Sequence, residues 1–187
     1  HPSTYAHFVA RKDYRKTYDV YKDDTLLNRK PKKSRKIFVC LDEQRGQYLV
    51  DGLIAMDFPL SSGVKAYPTK TGDYTVISKK EDHASNLYGK MYDAEGKCIN
   101  YNAESTDPVP EGGRFDGSPM PYWQRLTNAG LGLHVGKVRR HPISHGCVRL
   151  PRNVAEILYK QTSVGTPVTI QRTPLPVPEA QKAPAVQ

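Results

Sequence analysis

No run of about 18 consecutive apolar residues occurs in this 187-residue chain, so no stretch reads as a membrane-spanning helix. Nor does the chain open on the apolar stretch of a secretory leader. It starts at His1, and the expectation is that processing precedes that point. Cysteine is scarce and odd in number, at three residues. No Cys-x-x-Cys knuckle is among them, which argues against a zinc-ribbon reading. Acidic residues are in deficit: 28 Lys and Arg stand against 19 Asp and Glu, a net charge of +9. That balance calls for an anionic partner or surface. The densest basic run, Arg29, Lys30, Lys32, Lys33, Arg35 and Lys36, has no aromatics interleaved and no nucleic-acid-reading motif. It reads as a solvated stretch, and nucleic acid is not expected as a partner. Internal repeats are also absent.

What is present divides into three parts. Residues 1–35 are polar, basic and dotted with Tyr5, Tyr14, Tyr18 and Tyr21. They read as a basic extension with a short helix around 14–27. Residues 36–172 read as one catalytic-sized domain. Strand signals fall on Ile37–Leu41, Tyr48–Val50, Leu53–Leu60 and Tyr74–Ser78, with a turn at Gln44–Gln47. Residues 79–120 are turn-rich and read as a long loop over the sheet, the kind of segment that covers a binding site. A short strand at Leu131–Val135 delivers His134. A helix is expected over Asn153–Lys160 with Asn153 as its cap, and Thr166–Gln171 closes the sheet. Residues 173–187, rich in Pro and Ala, read as a disordered tail. The fold class is therefore mainly β, with mixed sheets, one or two helices and a long loop over the site. Cys40 and Cys98 either pair or remain buried thiols.

Chemistry concentrates in Leu133–Pro151, where His134, His141, His145 and Cys147 lie within a glycine-punctuated loop. A thiol needs a base or positive potential to become a nucleophile, and histidine is the usual supplier. Cys147 is the candidate nucleophile, with His134 or the adjacent His145 as its base. Gly146 lets the backbone turn so that amides near 145–147 face a developing oxyanion. Ser144 is read as a loop support. Arg149 offers a planar fork for a substrate carboxylate. Met120, Tyr122 and Trp123 precede the site and are candidates to line a substrate groove, and His141 is a surface residue. A zinc site built from the three histidines and Cys147 is the rival reading, disfavoured by the missing second knuckle.

The segment Ser144-His145-Gly146-Cys147-Val148-Arg149-Leu150 resembles the signature of the L,D-transpeptidase (YkuD-type) catalytic domain. The stretch Tyr67-Pro68-Thr69-Lys70-Thr71-Gly72-Asp73-Tyr74-Thr75-Val76 is similar to that family's upstream segment, and Gly132-Leu133-His134 to its histidine element. One departure is Val135, where the family carries a small residue after the histidine; it is tolerable if a carbonyl orients the imidazole. The other is a short connector from His134 to Ser144.

The resemblance implies a YkuD-like sandwich of mixed sheets and acyl transfer on peptidoglycan stem peptides, without a cofactor or metal. Cys147 would attack the carbonyl joining a diamino acid to D-alanine, and an amine would resolve the thioester. His134 is favoured over His145 as the base on that correspondence. It further implies an exported bacterial protein, periplasmic or in the wall, whose basic surface suits anionic wall polymers, and acylation of Cys147 by carbapenems. The rivals are an L,D-carboxypeptidase or cysteine hydrolase acting on stem peptides, and an inactive wall-binding module.

Overall fold

In the computed structural model, which describes residues 4–185, the chain is mainly β, with 37% strand and 12% helix. The first sheet forms around four strands that each bury apolar residues. These are β2 (Arg35–Cys40), β3 (Arg45–Val50), β4 (Leu53–Pro59) and β13 (Pro167–Gln171), the last on one face only. With β1 (Tyr21–Lys22) and β5 (Gly72–Thr75) they build six strands in the order β1-β4-β3-β2-β13-β5. The β13–β2 pair is parallel and the others antiparallel. The C-terminal strand thus sits inside the sheet, with β5 outside it.

A second sheet of four runs β12-β11-β10-β6, from β12 (Val148–Leu150), β11 (Gly132–Val135), β10 (Trp123–Arg125) and β6 (Ser78–Lys80). The expected single strand at Tyr74–Ser78 is therefore two short pieces serving two sheets. The core lies where Val154, Ala155 and Leu158 of α3 (Arg152–Gln161) meet Tyr48, Val50 and Met56 of the first sheet and Leu133, Val148 and Leu150 of the second. Helix α3 begins after Pro151, and no side chain caps it. Asn153 falls one residue inside the helix rather than at its cap.

Further expectations need correction. Residues 79–120 do not form a structureless loop. They fold largely into a three-stranded antiparallel sheet, β7 (Ala84–Tyr92) between β8 (Cys98–Glu104) and β9 (Arg114–Pro119). Register shifts interrupt its pairings, and few of its residues are buried, so no period-2 apolar pattern announced it. The turn expected at Gln44–Gln47 ends at Gln44, because Arg45 already belongs to β3 and is drawn fully inside by Asp57.

The N-terminal segment is likewise built into the fold. Helices α1 (Tyr5–Val9) and α2 (Asp24–Leu27) replace the expected helix over 14–27. Tyr5, Phe8 and Tyr14 cover Ile54 on the first sheet. The hydroxyls of Tyr5 and Tyr14 each donate to Asp57 Oδ2 at 2.8 Å, and Gln47 Nε2 donates to the same oxygen at 3.0 Å. Arg45 Nε lies 2.6 Å from Asp57 Oδ1, both side chains being 0% exposed. The remaining Arg45 nitrogens donate to the carbonyls of Thr17 and Asp19, at 2.9 Å each. Burial, then the Asp57 charge, holds both tyrosine hydroxyls far above their ordinary pKa.

The C-terminal tail is not free either. Leu175 and Val177 pack on the same cluster. The Gln181 side chain accepts from Ile54 N at 2.7 Å and donates to Ile54 O at 3.0 Å. Of the segments read as an extension and a tail, residues 1–3 and 186–187 lie outside the described residues.

Candidate active site

The second sheet places the chemistry. Because β11 and β12 are parallel, with Leu133 opposite Val148 and His134 opposite Arg149, alternation sorts their side chains onto two faces. Leu133, Val148 and Leu150 enter the core. His134, Cys147 and Arg149 take the other face and line a cavity of about 770 Å³. Across that cavity stand Leu87 and Tyr88 of β7 and Ser118 and Pro119 of β9.

Cys147 lies diagonally across from His134, roughly 7 Å between Cβ atoms by strand geometry. The thiol does not hydrogen-bond the imidazole; Sγ donates to the carbonyl of Gly130 at 3.2 Å. Burial pushes the thiol pKa up, while a hydrogen bond from Gly132 and the charges of Arg149 and Arg125 pull it back in part. His134 is 7% exposed, and that burial pushes its pKa down to about 4. The resting pair is therefore neutral thiol and neutral imidazole. His134 Nδ1 lies 2.6 Å from the carbonyl of Val135. A carbonyl only accepts, so Nδ1 carries the proton and Nε2 keeps its lone pair. The backbone carbonyl makes this contact, so the Val135 side chain is no obstacle to it.

The 144–147 turn is held from three sides. Ser144 Oγ donates to the carbonyl of Cys147 at 2.5 Å and accepts from the Gly146 amide at 3.1 Å. Thr69, from the upstream Tyr67–Val76 segment, donates to the carbonyl of Gly146 at 2.6 Å. The turn itself needs φ of +122° at Gly146, a conformation only glycine adopts without strain. Since Ser144 occupies the Gly146 amide, the amides left to face an oxyanion are those of His145 and Cys147.

His145 is turned into an aromatic slot. Its ring stacks on Tyr88 at 4.4 Å and meets Tyr67 edge-on at 4.9 Å. Arg149 is half-buried, and no carboxylate pairs with it among the described residues. Trp123 lines the cavity, sandwiched between His83, stacked at 4.9 Å, and His134 at 6.1 Å. Met120 also lines it. Tyr122 does not: it precedes β10 with a left-handed backbone, φ of +55°, and packs on Tyr159 of α3 at 5.5 Å.

His141 is exposed on the connector. No group of three or more His, Cys, Asp or Glu among the described residues is arranged to hold a metal ion. All three cysteines are free, and Cys40 donates to the Arg172 carbonyl. His83, Tyr88 and Arg125 line the cavity without having been singled out in the sequence. They come from segments distant from the signature, and only their meeting at one cavity marks them.

Comparison with known proteins places these residues in context. The YkuD family profile, described as the L,D-transpeptidase catalytic domain, matches residues 34–170. The probable L,D-transpeptidase 3 of Mycobacterium tuberculosis is 32% identical over 120 residues, which make up 60% of this chain and 38% of that protein. A solved L,D-transpeptidase from Mycobacterium smegmatis superposes with a TM-score of 0.57 at 22% identity, covering 74% of this chain and 58% of that one. L,D-transpeptidase 3 of M. tuberculosis, solved with a faropenem-derived adduct, gives 0.55 at 24% identity over 74% and 60% of the two chains. The chain thus spans less than two thirds of the length of these relatives.

Proposed function

Since the chain belongs to the YkuD family of L,D-transpeptidase catalytic domains, we propose that it transfers acyl groups of peptidoglycan stem peptides through a thioester on Cys147. The observation that carries this reading is the single sheet face on which Cys147, His134 and an unpaired Arg149 line one covered cavity. In the first half-reaction Sγ attacks the carbonyl between the diamino acid and D-alanine. His134 Nε2 takes the thiol proton, the S–C bond forms, the C–N bond breaks, and the imidazolium returns its proton to the leaving amine. In the second, an acceptor amine attacks the thioester and gives its proton to His134, which restores the thiol as the S–C bond breaks.

Substrate entry is expected to displace the thiol from Gly130 and bring it to the imidazole, since such contacts tighten in the loaded enzyme. The amides of His145 and Cys147 are the oxyanion donors, each worth about 3 kcal/mol of barrier. Ser144 and Gly146 shape their turn. Arg149 takes the diamino-acid carboxylate, and Trp123 forms part of the cavity floor. Activity outside the cytoplasmic membrane, on the bacterial wall, follows from that substrate.

The test is incubation with a tetrapeptide stem donor and an amine acceptor, with products read by mass. Transfer product and free D-alanine are expected, and Cys147→Ala is expected to abolish both. Turnover by Cys147→Ala refutes the nucleophile, and a tripeptide in place of the adduct marks a carboxypeptidase. A relative solved with a faropenem-derived adduct supports a second expectation. The strained lactam of a penem or carbapenem acylates Cys147, seen as a stoichiometric mass increase that Cys147→Ala lacks.

A further inference from the structure

The sheet face that carries Cys147 also holds a guanidinium with no part in that reaction. The register puts it in place. Continued one residue back from Leu133 opposite Val148, the register sets Cys147 beside Gly132, and Gly132 pairs with Arg125 on β10. Sulfur and guanidinium therefore share one row of the sheet, two strands or roughly 10 Å apart at the backbone. Arg149, on β12, lies two residues beyond Cys147, roughly 7 Å away. The nucleophile stands at the corner between the two arginines.

The intervening position, Gly132, projects no side chain of its own. The Trp123 ring lies over it, and a Cβ there would stand 2.4 Å from a ring carbon. Arg125 rests its guanidinium carbon 5.3 Å from the centroid of that ring and makes a single 3.4 Å bond to the Thr127 carbonyl. No carboxylate pairs with it among the described residues. Lys70, Lys137, Arg125 and Arg149 all line the cavity, and no Asp or Glu does. The cavity supplies cationic forks without internal counter-ions, so the anions must arrive with the ligand.

We propose that Arg125 is a second carboxylate subsite, which binds the terminal carboxylate of the residue that leaves, while Arg149 binds the carboxylate of the residue that is acylated. This rests on the acyl-transfer reading above. The span fits: a terminal carboxylate carbon lies three bonds, about 4 Å, from the scissile carbonyl carbon. An arginine reaching back across a one-residue gap covers the remainder.

The test compares two donors, a tetrapeptide stem with a free C-terminal carboxylate and the same stem as its C-terminal amide. kcat/KM for release of the terminal residue is measured in wild type, Arg125→Gln and Arg125→Lys. Wild type is expected to prefer the free acid by about 30-fold, the usual worth of a charge-assisted hydrogen-bonded pair. In Arg125→Gln that ratio collapses to within about 3-fold, and Arg125→Lys, which keeps the charge without the fork, falls between. A ratio that survives in both variants overturns the subsite. So does an equal loss for both donors, which marks a general packing role. A third donor, the same stem amidated at its diamino-acid carboxylate, is the control: if Arg125→Gln collapses the preference for the free form at that carboxylate and not at the terminal one, the assignment is overturned. Turnover of neither donor by the wild type refutes instead the acyl-transfer reading on which the subsite depends.

Discussion

Replacing His134 with glutamine should flatten the acid end of the protein's stability profile. The imidazole is buried with its Nδ1 bound to the Val135 carbonyl, and its pKa falls from 6.5 to about 4. Each unit is worth 1.36 kcal/mol, so the difference between folded and unfolded states amounts to about 3 kcal/mol. Its sign follows from which state takes the proton first. Between pH 6.5 and 4 the unfolded chain binds a proton at this position and the folded protein does not. The stability at stake is therefore whole above about pH 6.5, declines as pH falls, and is gone below about pH 4. Denaturant melts of wild type and His134→Gln at pH 7, 5.5, 4.5 and 3.5 isolate it, since all other groups titrate alike in both. The wild type should lose about 3 kcal/mol more than the variant over that range. Parallel profiles would refute the buried neutral imidazole. The same pKa sets the acid limb of Cys147 acylation, which should lie near pH 4 in the free enzyme; a limb near 6.5 contradicts the structure.

Asp57→Ala strips the acceptor from Arg45, Tyr5, Tyr14 and Gln47 at once. An unpaired buried charge should lower stability by about 3–5 kcal/mol, read by denaturant melts, and limited proteolysis should then cut within residues 10–20. Gly146→Ala forces a side chain into φ of +122° and is expected to cost about 1–3 kcal/mol of stability. It should also lower transfer by about 100-fold or more as the flanking amides move off the oxyanion; stopped-time mass assays check the second effect against melts for the first.

The turn at 144–147 and its proximity to His134 were legible because these residues lie within fifteen positions of one another, where glycine and residue chemistry speak locally. Strands β2, β4, β11 and β13 were legible for a related reason: apolar runs declare burial wherever they pack. Tyr122 misled because sequence adjacency to Trp123 says nothing about direction, and a left-handed backbone just before β10 accompanies its packing on α3. The lid strands β7–β9 hid behind bulges and exposed residues, and the tyrosines of the N-terminal segment read as polar decoration because their partner, Asp57, lies more than forty positions away.

Local covalent neighbourhood thus decided the candidate nucleophile, the left-handed glycine beside it and the family to which the chain belongs. Which groups share a cavity was settled only by strand register, since pairing β12 with β11 and β11 with β10 is what sets Cys147, His134, Arg149 and Arg125 on one surface. The charge states of that surface belong to the folded state as well. A thiol and an imidazole acquire their shifted affinities for protons only when packing removes water from around them, and no reading of the chain in order contains that information.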